Sequence, residues 1–203
     1  MAITYPISFP STGNAKGIRK ISWRAVNGVG YNASPFNGSE SIYNWNNDIW
    51  QADIAIAPQK RDEAEYWIAF LLSLRGRMGT FLLPDPIASG PRDTLVTDLT
   101  ITGTLGSSSV TAVIGGTSPH GFRPGDVFQL GSGSTSRLYK ILDNNNVGTR
   151  TMEIWPSLRA DATAEVAVIN NPKCVFRLSN NTSAWDIDEA LTYGINFTAQ
   201  EAK

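Results

Sequence analysis

The sequence has almost no cysteine or histidine, and this scarcity excludes several kinds of protein. Cys174 is the only cysteine in 203 residues, so the chain forms no intrachain disulfide. His120 is the only histidine, and the two residues together do not supply the ligands of a structural zinc site. A chain of this length buries enough surface to fold without such staples. We therefore expect an apolar core to hold the fold and no cofactor to be required.

An excess of one charge and long apolar runs are missing as well. Seventeen basic and eighteen acidic residues leave a net charge of −1, so the chain lacks the broad positive field of a protein that grips a polyanion. The longest apolar run, residues 67–74, is far shorter than the ~20 residues that span a bilayer. The first residues lack the basic start and apolar core of a secretory signal. We expect neither membrane association nor specific DNA binding.

The most informative stretch, residues 50–86, predicts a strand, a helix and a second strand. Trp50, Ala52, Ile54 and Ile56 recur at every second position, which predicts a strand with one buried face, ended by Pro58. The second strand, residues 80–83, is stopped by prolines at positions 84 and 86, because proline cannot donate to a sheet ladder.

Residues 60–75 between these strands predict an amphipathic helix. The apolar residues change to three- and four-residue steps, which places them on one side of a helix: Ala64, Trp67, Ile68, Leu71 and Leu74. Acidic residues stand in the first turn, where the helix dipole favours negative charge. Gly76 follows the last turn, where glycine commonly ends a helix. Phe70 and Leu72 widen the apolar arc beyond one face, which indicates that the helix contacts two partners.

The chain divides into three parts, at residues 1–93, 94–171 and 172–203. In the first part we predict further strands at 18–26 and 41–45. Residues 27–39 between them are expected to form a long loop, which is either mobile or, as we favour, ordered by a partner. The second part predicts six short strands separated by glycine- and asparagine-rich turns, which is typical of a small β-barrel: 95–101, 109–114, 126–130, 137–142, 151–155 and 165–169. Gly131 and Gly133 belong to one of these hairpin turns.

The third part is too small to bury a sheet face alone. Its predicted strands, 174–178 and 192–198, should therefore return to the first part. The expected fold is mainly β: a β-sandwich domain with one α-helix, built from residues 1–93 and 172–203, with the small β-barrel of residues 94–171 inserted into it.

Several dispersed blocks in fixed order carry a family resemblance: WQADIAIAP, EAEYWIAFLLSLRGRMGTFLLPDP, GFRPGDVFQL, RLYKIL, MEIWPSLRA, CVFRL and YGINFTAQEA. Together they resemble the distal tail proteins of long-tailed bacteriophages. The resemblance covers about residues 22–202. It implies a structural protein of the virion, made in the host cytoplasm and located at the distal end of the tail. Its "belt" domain would form a homohexameric ring between the tail tube protein and the tail-tip hub proteins, and DNA would pass through the channel unbound.

Candidate subunit contacts are aromatic and arginine residues outside the predicted core. Tyr43 and Trp45 lie on the strand face opposite Ile42, and Trp185 lies in a predicted loop. Phe70 widens the apolar face of the helix. Arg75 and Arg77 bracket Gly76, where they either cap helix carbonyls or pair with an acid of a neighbouring subunit.

Two other functions remain open as alternatives. In a carbohydrate-binding module, Trp45 and Trp185 would line one groove and stack on sugar rings. A hydrolase would use His120, or the acidic group formed by Asp186, Asp188 and Glu189. The loop of His120 shows no nucleophile or orienting carboxylate, and the acidic group lacks calcium-loop spacing, so we expect no enzymatic activity and no metal.

Overall fold

The computed structural model describes residues 3–10, 17–85, 89–189 and 191–203. It confirms the expected fold class: the protein is mainly β with a single helix, and its sheets are consistent with a β-sandwich and a small, nearly closed barrel. The predicted stop at position 86 lies outside the described residues.

The described strands and the helix follow one another in chain order, with a short 3-10 helix at Gly133–Thr135 between β9 and β10. They are β1 (Ile7–Ser8), β2 (Ile18–Val26), β3 (Val29–Ala33), β4 (Glu40–Asn44), β5 (Ile49–Ile56), α1 (Arg61–Ser73), β6 (Phe81–Pro84), β7 (Val96–Gly103), β8 (Ser109–Gly116), β9 (Val127–Leu130), β10 (Arg137–Ile141), β11 (Gly148–Trp155), β12 (Ala162–Val166), β13 (Lys173–Leu178), β14 (Trp185–Ile187) and β15 (Tyr193–Glu201).

Strands from both ends of the chain form one sheet. We call this sheet, together with α1, the sheet unit. Its order is β1-β6-β13-β15-β5-β2, and β14 pairs with β15. The strands after residue 171 thus pair with strands from before residue 94: β13 lies against β6, and β15 lies against β5. Both pairs are antiparallel, so the chain leaves and re-enters the sheet at neighbouring strands.

The helix covers the core of the sheet unit. The buried face of β5 carries Trp50, Ala52, Ile54 and Ile56, as the alternation predicted. Helix α1 contributes its own apolar side chains to the same cluster, including the fully buried Trp67. It ends at Ser73, and the left-handed conformations of Arg75 and Gly76 (φ 50° and 68°) then reverse the chain.

The six strands of residues 94–171 form a separate sheet, which we call the barrel unit. Its order is β12-β7-β8-β11-β10-β9. Gln129 of β9 exchanges two backbone hydrogen bonds with Val168, just after β12, at 2.9 and 2.8 Å, and this bridge brings the two edges of the sheet together. A second apolar cluster fills the interior. The predicted turn at Gly131 and Gly133 joins the antiparallel strands β9 and β10.

The two units share a closely packed boundary, which we call the seam. Val127 and Leu138 of the barrel unit belong to the apolar cluster of the sheet unit. The Trp50 indole donates a hydrogen bond to the Leu138 carbonyl at 3.0 Å and meets the Trp155 ring edge-on, with centroids 4.4 Å apart. An ion pair also crosses the seam, with 3.0 Å between Arg159 Nη2 and Glu201 Oε2.

Three expectations from the sequence are wrong. Strand β3 lies within the predicted loop of residues 27–39. Trp185 begins strand β14 and packs against the core of the sheet unit, so it is not a loop residue. Phe70 is buried, because its ring packs against Phe9 and Phe81 with centroids 5.8 and 5.4 Å away. Phe9 of the N-terminal segment therefore covers Phe70 on this side of the helix, whereas Leu72 stays 57% exposed.

Candidate functional site: an exposed hairpin arm

A β-hairpin stands apart from both units. Within the described part of the chain, strands β3 and β4 pair only with each other, from Val29 opposite Asn44 to Ala33 opposite Glu40. We call residues 27–48, which contain this hairpin and its base, the arm. It connects β2 to β5 in the sheet unit. An isolated two-stranded hairpin is at best marginally stable in water, so an arm of this kind depends on contacts beyond its own pairing.

Both faces of the arm carry exposed apolar side chains. The strand register places Val29, Tyr31 and Ile42 on one face and Tyr43 on the other. Trp45 follows β4 on the same side as Tyr43, and their rings meet with centroids 4.8 Å apart. All five are exposed, Trp45 to 66%. The sequence therefore placed Tyr43 and Trp45 correctly on the face opposite Ile42.

A glycine in β3 allows Trp45 to lie across the hairpin. Gly30 pairs with Tyr43, and a Cβ atom at Gly30 would stand 2.9 Å from Nε1 of the Trp45 indole. Real side chains do not approach so closely. Gly30 thus leaves room for the indole, and the two aromatic rings form one continuous exposed surface.

The tip of the arm is ordered by local hydrogen bonds. Ser34 N donates to the Ser39 carbonyl at 2.8 Å, and Gly38 N donates to the Ser34 carbonyl at 3.0 Å. Phe36 lies at the tip with 96% of its surface exposed. Phe36 therefore adds a fourth exposed aromatic ring to the arm.

The base of the arm is held by the barrel unit. The Trp155 indole donates to the side-chain oxygen of Asn27 at 2.8 Å, and the Arg159 guanidinium donates to the carbonyl of Asp48. The Asp48 carboxylate in turn accepts a hydrogen bond from Gly28 N at 3.0 Å. Both strands of the arm are therefore anchored where they leave the sheet, and the barrel unit contributes to the direction in which the arm projects.

The remaining predicted contact residues lie elsewhere. Arg75 and Arg77 are exposed after the end of α1, and neither guanidinium forms an ion pair within the described part of the chain. Trp185 is half-buried on β14, and Phe70 is in the core. Of the six predicted residues, the structure brings together only Tyr43 and Trp45.

Sequence reasoning missed Tyr31 and Phe36 as members of this surface. The signal was present, because Val29 and Tyr31 alternate with polar residues as a strand requires. Two glycines and three asparagines surround them between positions 27 and 37, however, and these residues favour turns. The hydroxyl of Tyr31 donates to the Glu40 carboxylate at 2.9 Å, and this bond raises the pKa of Tyr31.

The candidate hydrolase residues do not form a triad. Ser118 is the hydroxyl nearest His120 in sequence, but it donates to the Asp93 carboxylate and accepts the backbone N–H groups of His120 and Gly121. Its bond to Asp93 is the main cause that lowers the pKa of this carboxyl group. The serine is therefore committed to a loop, and its proton is not directed toward an imidazole.

The acidic group does not form a metal site. Asp188 accepts hydrogen bonds from Thr192 N at 2.8 Å and Thr192 Oγ1 at 2.6 Å, which closes the turn after β14. Among residues 3–10, 17–85, 89–189 and 191–203, no three His, Cys, Asp or Glu side chains are placed to hold a metal ion. The described helix is also too short and too polar to cross a membrane.

No protein-family model matches the chain, and no curated protein matches it.

Proposed function

We propose that this protein is a structural subunit that assembles through its arm into a closed ring. Its role would be that of the distal tail proteins of long-tailed bacteriophages, which its sequence blocks resemble. The ring would connect the tail tube protein to the host-binding hub proteins of the tail tip and leave a channel for DNA. On this proposal the protein has no catalytic step, and it resides in the virion as a homohexamer.

The observation that carries this proposal is the arm with exposed apolar side chains on both faces. Its four aromatic side chains are each more than half exposed. With roughly 150–250 Å² for each ring, they present on the order of 500 Å² of apolar surface. A standard interface buries about 800 Å² on each partner, so the arm alone supplies a large part of one.

The shape of the arm is compatible with a ring. A narrow hairpin that presents two faces is enclosed by a different surface of its partner, and the contact is heterologous when each copy offers its arm to the next. Heterologous contacts repeat from copy to copy and close when the rotation allows it. The net charge of −1 agrees with a channel through which DNA passes without being held.

The carbohydrate-binding alternative gains no support from the geometry. It predicted that Trp45 and Trp185 line one groove. Trp45 instead lies on the arm with Tyr43, whereas Trp185 packs against the core of the sheet unit.

The experiment is the mass of the full chain in solution, measured by light scattering after size exclusion. We expect six copies of the 22.0 kDa chain for the wild type and smaller species for Trp45→Ala. About two-thirds of an indole of up to ~250 Å² would be desolvated on assembly, which is worth up to ~4 kcal/mol at ~25 cal/mol per Å². Tryptophan hot spots contribute ~2 kcal/mol or more, which corresponds to a factor of about 30 in the association constant of the contact.

The matched control is Val166→Ala, which truncates a side chain that is 71% exposed on the barrel unit. This variant should assemble as the wild type does, and both variants should keep the wild-type circular dichroism. A wild-type chain that stays monomeric at high concentration, with no rings in micrographs of tail tips, would overturn the proposal. Equal loss of assembly in both variants would show that the arm is not the assembly contact.

A further inference from the structure

Two adjoining cavities lie at one end of the seam. The first, about 290 Å³, is lined by Arg77, Arg177, Glu201 and Lys203, among others. The second, about 440 Å³, is lined by Arg137 and Arg159 and again by Lys203. Lys203 lines both cavities, and we call the two together the seam pocket. It is lined by side chains of the sheet unit and of the barrel unit.

The seam pocket is strongly cationic, although the chain as a whole is not. Five basic side chains line it, and among the described residues Glu201 is the only Asp or Glu that lines either cavity. Both oxygens of Glu201 are already bound by Arg159, at 3.3 Å from Nε and 3.0 Å from Nη2. Within the described ranges, Arg77, Arg177 and Lys203 form no ion pair of their own.

The charged groups are held by three separate elements. Arg77 follows the reversal after α1, where its backbone N–H donates to the side-chain oxygen of Asn181 at 3.0 Å. Arg177 lies on β13 opposite Gln200 of β15, and Lys203 follows the end of β15. The Lys203 ammonium group donates to the side-chain oxygen of Asn47 at the base of the arm. Folding thus brings three cationic residues from separate parts of the chain to the wall of the first cavity.

One donor of a residue that lines the pocket lacks an acceptor. The Nε atom of Arg177 is buried and has no hydrogen-bond partner. A buried N–H without an acceptor is unfavourable, because it has lost water and gained nothing in exchange. Burial also lowers the pKa of Lys203, and the neighbouring Arg159 lowers it further, while Glu201 and Asp48 act in the opposite direction. Desolvation is thus the main cause of the lowered pKa of Lys203.

We propose that the seam pocket binds a small oxyanion, a phosphate or carboxylate group, between Arg77, Arg177 and Lys203. Guanidinium groups present planar donor pairs that match these anions, and an ammonium group adds a point charge. An oxyanion would accept hydrogen bonds from these groups and reduce the repulsion among the three cations. The first cavity alone is many times the ~30 Å³ that one water molecule occupies in the liquid, so an ion of this size fits.

The experiment is isothermal titration of the full chain with sodium phosphate and, separately, with sodium acetate, at ionic strength held constant with sodium chloride. We expect saturable binding of at least one of the two anions. Binding of phosphate alone assigns the pocket to phosphate groups, binding of acetate alone assigns it to carboxylates, and binding of both assigns it to oxyanions in general. If neither binds beyond the chloride control, the proposal is overturned.

Variants locate the site. Lys203→Gln and Arg77→Gln each remove one exposed cation, and each should weaken binding about tenfold, as the loss of a charge-assisted hydrogen bond does. Arg150→Gln, which removes an exposed arginine from β11 of the barrel unit, is the matched control and should bind as the wild type does. Equal weakening in all three variants would show a general charge effect and overturn the assignment. The mass of each variant, measured by light scattering, distinguishes loss of anion binding from loss of ring assembly.

Discussion

Glu201→Gln tests the ion pair that joins the two units. The side chains of Arg159 and Glu201 are 11% and 1% exposed. Glutamine has the same shape as glutamate. It also keeps a side-chain oxygen that can accept the hydrogen bond which Trp50 N donates to Glu201 Oε2 at 3.1 Å. It leaves the buried Arg159 guanidinium without its carboxylate. Breaking a buried pair in this way costs about 3–5 kcal/mol. For a chain of this size, Tm falls by roughly 2–4 °C for each kcal/mol.

The assay is urea unfolding followed by tryptophan fluorescence, since Trp50 and Trp155 meet at the seam. Asp53→Asn is the matched control, because it removes the carboxylate of an exposed pair with Arg24, whose side chains are 45% and 52% exposed. Exposed pairs are worth about 0–1 kcal/mol. We attribute the larger cost in free energy of unfolding to the burial of the ion pair at the seam. A similar loss of stability in the two variants would refute this reasoning.

Two further predictions concern a glycine and the lone cysteine. Gly76 and Gly38 both have φ of 68°, but a Cβ atom at Gly76 would lie 2.8 Å from Asn181 Oδ1, whereas nothing lies within 4 Å at Gly38. Gly76→Ala should therefore lower the urea midpoint clearly more than Gly38→Ala, which carries only the left-handed strain of ~1–2 kcal/mol, and equal shifts would contradict this account. Burial raises the pKa of Cys174 to about 12, so the folded thiol should stay protonated and unreactive toward a disulfide reagent at pH 8 and react only in denaturant. Because the unfolded thiol ionises near pH ~8.5, the free energy of unfolding should fall as the pH rises above that value. Rapid labelling of the native protein would contradict this account, because it would show that the thiol is accessible.

Local periodicity was sufficient for the regular elements. The alternation from Trp50 to Ile56 identified β5 and its buried face, and the three- and four-residue steps identified α1. The predicted strand of residues 18–26 matches β2 residue for residue. These predictions succeed because a strand or helix with one buried face must repeat its apolar residues with its own geometric period.

The same reasoning failed where no local period reports burial. Phe70 lies on the wide apolar arc of the helix, but only the packing of Phe9 against it decides that it is core. Strand β3 was hidden because neither face of the arm is buried, so glycine and asparagine outweighed the alternation of Val29 and Tyr31.

The sequence by itself determined the class of the protein: a mainly β chain with one helix, without disulfides and nearly neutral, in which the last strands return to the first. Only the tertiary structure decided the seam, the exposed arm and the cationic pocket. Arg159 and Glu201 are 42 positions apart, and Trp155 and Asn27 are 128 apart. Contacts over such separations leave no periodic trace in the chain, because they arise when two separately patterned surfaces are brought together by folding.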